Sequence, residues 1–377
     1  IAYQTAYLKT YYPHEFFAAS MSMELSNQNK LSEFYEELKR LNINIIRPDI
    51  NNCFADFTSN GKDFLYALGA IKNVGYEAIS NVVEERVKNG KYVNISDFIN
   101  RVNPKNINKL QLEGLVKAGA FDEINNNRQS LFNSIPNIIL KSKNNFENKM
   151  DNQINLFDDE FKTNDNFLEK IEDWNIDTKL SKEFETLGFF ISDHPLNQYK
   201  IVFNQYNIVS YDYFENEKNS LSSNIACTVL KIQEKKTQRG NSYAIVKLSD
   251  LDSFFELFIF SDVFEINRDK LIEGNSLMIT LMKNYIGEGN TQRKINVKKI
   301  VTLKEVLNSN YDKLKFKINS FEELKRLKSL NKMDGKTKIT FQISDENNNY
   351  TFSLKYKRNI DNNLINELKI RKNLLHE

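Results

Sequence analysis

"LYALGAIKNVGYEAISNVVEERVKNG", residues 65–90, is a short apolar run that enters a tight turn and leaves it as a helix. After the turn Ala78, Ile79, Val82 and Val83 recur at helical spacing, which gives that helix one apolar face. The turn itself reads "IKNVG", 71–75. Asn73 tolerates the left-handed backbone region, and Gly75 has no Cβ to keep another molecule from its backbone. Lys72 adds a positive charge next to them, and Val74 completes the tip.

This arrangement resembles a helix-hairpin-helix, in which a hairpin presents backbone N–H groups to a DNA phosphate at a helix N-terminus. On that reading Lys72, Asn73, Val74 and Gly75 are DNA contacts, although the motif has a glycine where this chain has Asn73. A second copy follows in "INKLQLEGLVKAGAFDEI", 107–124. Leu112, Leu115 and Val116 precede a turn at 117–120, whose candidate contacts are Lys117 and Gly119. Either copy also fits an ordinary helical hairpin capped by glycine. Two copies about 45 residues apart favour DNA backbone binding.

Before the hairpins, residues 1–41 read as helix. Tyr3, Tyr7, Leu8 and Tyr11 fall at helical spacing, Pro13 interrupts, and Phe16, Phe17 and Met21 resume an apolar face. A second helix over 27–41 offers Leu31, Phe34, Tyr35 and Leu38. These aromatics are expected to pack inward. "IIRPDI" follows as an extended X-Pro stretch.

After the hairpins the chain turns polar, with a net charge of −8 over 121–222. A helix to roughly Phe146 leads into a tether that runs to about Lys179. In it stands "DNQINLFDDEF", 151–161, where Gln153, Ile154, Asn155, Leu156 and Phe157 place an aliphatic–aromatic pair in a solvated segment. Such a pair calls for a pocket elsewhere, or for a neighbouring domain to tuck against. "LSKEFETLGFFISDHPLNQY", 180–199, then reads as a helix ending near Pro195.

Residues 223–303 change period. "IACTVLKIQE", "YAIVKLSD", "FFELFIF", "SLMITLMKNY" and "RKINVKKIVTL" alternate as strands, with a helix-like stretch between the third and fourth. That order fits an OB-fold, a small Greek-key barrel that commonly binds single strands. Its candidate contacts are Lys235, Lys236 and Arg239 on the first loop and Tyr243 beside it, a basic loop with a ring for base stacking. Phe255 reads equally well as stacking platform or as core. The block 304–377 mixes strands with an amphipathic helix at 320–330 and a final helix near 364–370, a small α+β domain. Its charge of +6 fits DNA, an acidic partner protein or plain solubility.

Composition excludes several classes. A chain of 377 residues holds two to four domains. No run of about 18 apolar residues offers a membrane span. The chain starts at Ile1 inside a helical pattern without a signal-peptide layout, and is read as a fragment. Cys53, Cys227, His14, His194 and His376 are too scattered for disulfides or a zinc site, so a reducing cytoplasm is the expected setting. Two-metal phosphoryl transfer needs clustered carboxylates, whereas Asp158, Asp159 and Glu160 are contiguous and read as solvated charge. No catalytic residue and no metal ligand is assigned.

Taken together, "YQTAYLKTYYPHEFF", "RPDINNCFADF", "YALGAIKNVG", "LVKAGAFD" and "EFETLGFFISDHPLNQY" resemble, in that order, the C-terminal part of the bacterial replicative DNA polymerase III alpha subunits, the family C polymerases. "ETLGFFISDHPL" is the most specific of these, with Asp193 where the family usually has glycine. The likeness covers nearly all the chain and is weakest after residue 304.

The resemblance implies a multidomain α+β chain. Residues 1–58 would be the end of the polymerase fingers and 59–125 a tandem helix-hairpin-helix. Residues 126–222 would be a helical, acidic linker, 223–303 an OB-fold β-barrel, and 304–377 a small α+β domain that contacts the clamp loader's tau subunit. It implies double-stranded and single-stranded DNA as ligands. Gln153 to Phe157 resemble the peptide by which these polymerases hold the sliding clamp. The full-length enzyme is a DNA-directed DNA polymerase that uses Mg²⁺ on palm aspartates, which the resemblance places before Ile1, so these residues alone are expected to be inactive. The alternatives are a stand-alone nucleic-acid adaptor without enzymatic activity and the equivalent part of an error-prone paralogue. Upstream sequence separates all three.

Overall fold

The computed structural model describes residues 2–150, 167–217, 220–238, 240–286, 292–308, 313–318, 333–344, 349–359 and 374–375. It is a mixed α+β molecule that divides into two compact units, Ile1–His194 and Pro195–Glu377. Gln153, Ile154, Asn155, Leu156, Phe157 and Arg239 lie outside the described residues, as do the helices expected at 320–330 and 364–370.

The first unit opens with helices α1 (Ala2–Tyr11), α2 (Pro13–Ser22) and α3 (Gln28–Arg40). Pro13 sits at the first turn of α2, where its missing N–H costs nothing. α2 buries Phe17 and Met21, and α3 buries Leu31, Tyr35 and Leu38, as their periodicity requires. The expectation that the aromatics of α1 pack inward is corrected. Tyr3, Tyr7, Leu8 and Tyr11 are exposed, Tyr3 at 81%. No described residue covers that stripe, and the rings lie against one another instead, Tyr7 and Tyr11 with centroids 4.6 Å apart.

Three two-residue strands follow: β1 (Ile45–Ile46), β2 (Thr58–Ser59) and β3 (Phe64–Leu65), in the order β1-β3-β2. Helices α4 (Tyr76–Asn89), α5 (Ile95–Arg101), α6 (Lys109–Lys117), α7 (Arg128–Asn133) and α8 (Ile135–Met150) come next. The single helix expected up to Phe146 is therefore two helices, and the second runs to Met150.

Nor do residues 167–175 behave as tether. Asn127 Nδ2 donates to the Ile171 carbonyl at 2.7 Å, the Glu169 N–H donates to Ser134 Oγ at 2.9 Å, and Trp174 lies 5.4 Å from Phe132. Both flanks of 151–166 thus belong to the first unit. Helix α9 (Ile176–Leu187) ends at the left-handed Gly188, earlier than the expected Pro195.

The stretch "ETLGFFISDHPL" now has a structural reason. Phe189 stacks on Tyr35 at 4.0 Å, and Tyr35 Oη donates to the Phe190 carbonyl at 2.6 Å. The buried Glu183 accepts the N–H groups of Ile191 and Ser192 at 2.7 and 2.9 Å. The stretch clasps α9 to α3.

The second unit is built on a six-stranded sheet of β4 (Ile208–Val209), β5 (Ser222–Lys236), β6 (Ser242–Ser249), β7 (Phe254–Ile259), β8 (Ser276–Ile286) and β9 (Gln292–Thr302). The ladder order is β7-β6-β5-β8-β9, with β4 parallel to β5. A helix, α10 (Ser261–Asn267), joins β7 to β8, as the sequence pattern predicts. One face gathers Ile225, Val229, Val246, Leu248, Leu257, Ile259, Ile279 and Leu281 into a core. Each such side chain contributes about 1.5–3 kcal/mol on burial. The expected closed barrel is not formed, because no ladder joins β7 to β9 among the described residues. Beyond it lie β10 (Lys313–Ile318), β11 (Met333–Ser344), β12 (Asn349–Ser353) and β13 (Leu374–Leu375), in the order β12-β11-β10-β13.

Candidate nucleic-acid interface

The first hairpin leaves β3 through a turn of 3-10 helix, Leu68–Ala70, which buries Leu68 and Ala70. Ile71 and Val74 are buried as well, so the apolar residues of "IKNVG" anchor the turn. Lys72, Asn73 and Gly75 stay exposed at its surface. Asn73 has φ +68°, the left-handed conformation its residue type allows. The Lys72 N–H donates to the Thr186 carbonyl at 3.1 Å, which pins the turn to the end of α9.

Gly75 begins α4 with φ −74° and ψ 135°, a conformation open to any residue. What glycine gives there is space, since a Cβ would sit 3.1 Å from Gln111 Nε2. The start of α4 also differs from its neighbours. Helices α3, α5, α6, α7 and α9 each begin at an asparagine whose side chain accepts a first-turn N–H. Helix α4 has no side-chain cap. Its first-turn N–H groups have no intrahelical partner, and together with the helix dipole they favour an anion. Glu77 in that first turn offsets part of this attraction.

The second hairpin is built differently. The N–H of Gly119 bonds the Val116 carbonyl and that of Ala120 bonds the Leu115 carbonyl, a Schellman cap on α6. Gly119 has φ +77°, and a Cβ there would lie 2.1 Å from Arg128 Nη2. Arg128 is buried over the turn and grips Asp122 with two bonds of 2.8 and 2.7 Å. Lys117 pairs with Glu185 at 2.8 Å, and its side chain is only 14% exposed. That contact holds the Glu185 carboxyl below the usual range. The two predicted hairpins are both turns, but only the first offers its backbone to solvent.

On the six-stranded sheet, Lys235 and Tyr243 stand directly opposite each other. Lys236 follows on the other face by alternation, exposed at the strand's end. Phe255 is core, stacked on Tyr211 at 4.0 Å. Sequence reasoning missed its outward neighbours. Phe258 is 50% exposed and lies opposite Ile245, which lies opposite Gln233; Lys231 and Lys247 pair in the same face. Phe260 is exposed next to it, with Lys294 Nζ 4.6 Å from the ring centre. The signal was the period of two in "FFELFIF", which sends 255, 257 and 259 inward and 256 and 258 outward. This half of the sheet's second face is open, while Leu196, Tyr199 and Val202 cover the half near Ala226 and Met278.

Among the described residues no group of three or more His, Cys, Asp or Glu side chains is placed to hold a metal. No helix there is long and apolar enough to cross a membrane.

A helix-hairpin-helix motif family matches residues 42–131, which include both turns. The chain is 32% identical to DNA polymerase III subunit alpha of Borreliella burgdorferi, over 88% of this chain and 29% of the relative. It is 34% identical to that of Caulobacter vibrioides, over 74% of this chain and 25% of the relative. The figures for Campylobacter jejuni are 34%, 81% and 26%. The chain is homologous, over most of its own length, to a portion of the DNA polymerase III alpha subunits. It spans about a quarter to three-tenths of the length of the curated relatives it matches. "IKNVG" is the exposed hairpin within the matched helix-hairpin-helix region, and "KAGA" is its packed counterpart.

Proposed function

We propose that this chain is the DNA-holding and partner-holding portion of a bacterial replicative DNA polymerase III alpha subunit, the enzyme of template-directed DNA synthesis in the cytoplasm. The observation that carries the DNA part is the uncapped, exposed start of α4 behind the left-handed Asn73, inside a matched helix-hairpin-helix. A duplex phosphate docks on the first N–H groups of α4, with Lys72 alongside, and the contact is indifferent to sequence.

The five-strand order with α10 after the third strand supports an OB-like reading of the second unit. Its open face, with Lys235, Tyr243, Ile245 and Phe258, takes a single strand by stacking and charge, with Lys236 at the end of β5 and Arg239 beyond it as further contacts. In this layout the division into fingers end, tandem hairpins, linker, OB-like domain and tau-contacting domain is the one the resemblance implies. Catalytic aspartates and Mg²⁺ belong to the palm of the whole enzyme. The role of these residues in the reaction is to hold primed DNA and partners near it.

Gln153 to Phe157 form the sliding-clamp hook. Leu156 and Phe157 fill an apolar pocket on the clamp, and Gln153 bonds at its edge. Because both flanks of 151–166 are held in the first unit, the hook tethers the clamp to the hairpins. Two experiments test the reading. The purified chain should bind primed duplex with Mg²⁺ present and add no nucleotide; incorporation by a preparation free of other polymerases contradicts it. Leu156→Ala/Phe157→Ala should weaken binding to the cognate clamp by about a thousandfold, at about 2 kcal/mol for each lost anchor. The Tm and duplex affinity should hold, and an unchanged clamp affinity removes the hook.

A further inference from the structure

Strands β10, β11 and β12 form a sheet with two unlike faces. Leu314, Phe316, Ile318 and Ile339 are buried on one of them. The other is set by the register. Lys315 lies opposite Thr340 and Lys317 opposite Gln342 across the parallel pair; Thr340 lies opposite Ser353 and Gln342 opposite Thr351 across the antiparallel one. The Thr340 and Ser353 hydroxyls are 3.1 Å apart, which places both on this face. Lys336 and Lys338 precede Thr340 at intervals of two and are exposed with Lys317.

Lys315 lies diagonally from Lys338 across the parallel pair, which places like charges on adjacent strands of one face. Several lysines elsewhere in the chain meet carboxylates, as in Lys117 with Glu185, Lys109 with Glu113 and Lys270 with Glu305. Here no described carboxylate pairs with Lys315, Lys317, Lys336 or Lys338. The three strands contribute one acid, Asp334, at the start of β11. A face of this kind attracts anions.

We propose that this lysine face of the C-terminal sheet is a second, sequence-independent binding surface for the phosphodiester backbone of nucleic acid. Its chemistry selects that partner over an acidic protein segment. Lysines interleaved with Thr340, Gln342, Thr351 and Ser353 supply the ammonium, hydroxyl and amide donors that phosphate oxygens accept. A docked peptide needs apolar anchors near the centre of its site. The exposed aromatics of the sheet, Tyr350 and Phe352, alternate onto the opposite face.

The test is a lysine-acetylation footprint of the full chain, read by mass spectrometry, with oligothymidylate, with a mixed-sequence duplex and with polyglutamate. Lys315, Lys317 and Lys338 should be protected by DNA at a lower charge concentration than by polyglutamate. Equal or weaker protection by DNA overturns the proposal, and protection by polyglutamate alone reassigns the face to an acidic protein. In parallel, Lys315→Gln/Lys317→Gln/Lys338→Gln should make the salt slope of DNA binding shallower by about 2–3. An unchanged slope in a variant that melts like wild type also overturns it. The footprint should persist in Lys72→Glu, so that failure of the hairpin reading and failure of this one remain distinct.

Discussion

The two hairpins share a motif, a charge and a glycine, yet they use them for opposite ends. At the first, Gly75 has ordinary dihedrals and clears the approach to an uncapped helix. At the second, Gly119 is left-handed, closes a Schellman cap and lies under Arg128. Lys72 is exposed, whereas Lys117 is spent on Glu185. A repeated motif therefore need not be a repeated site. One copy presents backbone and the other holds the unit together, with α9 touching both: Thr186 bonds Lys72, and Glu185 pairs with Lys117.

The strongest way to break this comparison is to add one methyl to each glycine. Gly119→Ala imposes left-handed backbone on alanine, about 1–2 kcal/mol, and displaces Arg128 from a charged hydrogen bond worth about 1.5–3 kcal/mol. A loss of roughly 3–5 kcal/mol should lower Tm by roughly 6–20 °C, at about 2–4 °C per kcal/mol for a unit of this size. Gly75→Ala meets only the movable end of Gln111, so it should cost about 1 kcal/mol or less. Duplex affinity should fall severalfold in Gly75→Ala and hold in the folded fraction of Gly119→Ala. If the two variants exchange these effects, the assignment of roles is reversed.

Charge reversal sharpens the same contrast with smaller effects. Lys117→Glu puts a carboxylate against Glu185 and should cost about 1–2 kcal/mol in a melt. Lys72→Glu should leave Tm alone, reduce duplex affinity and make the salt slope shallower by about 1. Equal affinity losses in both would mean that the second turn also meets DNA.

Much of the first hairpin was legible in sequence because its determinants are local. Asn73 permits its own φ, and Ile79, Val82 and Val83 supply their own helix face. The role of the second hairpin was not legible, because the residues that close it, Arg128 and Glu185, lie far along the chain and carry no mark of where they fold back. The same holds for α1, whose tyrosines keep perfect helical spacing without a described partner. On the six-stranded sheet the alternation decided Phe255 against Phe258, but which face stays open depends on where residues 195–209 lie, and period alone does not give that.

The smallest predicted effect tests the brace that both hairpins share. Glu183 is fully buried on α9, its Oε1 accepts two N–H groups, and Arg128 Nη1 stands 3.9 Å from Oε2, which has no hydrogen-bond partner. Burial pushes its carboxyl above the ordinary value of 4.5, against the pull of the Ser192 and Ile191 N–H groups and of Arg128. A carboxyl raised in the folded state binds its proton more tightly there than in the unfolded chain. Its contribution to stability is thus full below the unfolded value and is lost as pH rises through the folded one. Glu183→Gln keeps an oxygen for the two N–H groups and cannot ionise. Variant minus wild-type Tm should therefore become more positive as pH rises above about 4.5, since only the wild type has a carboxyl whose ionisation folding opposes. Taking the difference cancels the titration of Glu185, which both proteins share. A difference that instead falls with pH means that Arg128 stabilises the anion by more than burial costs it. The brace would then be an ion pair that strengthens toward neutral pH.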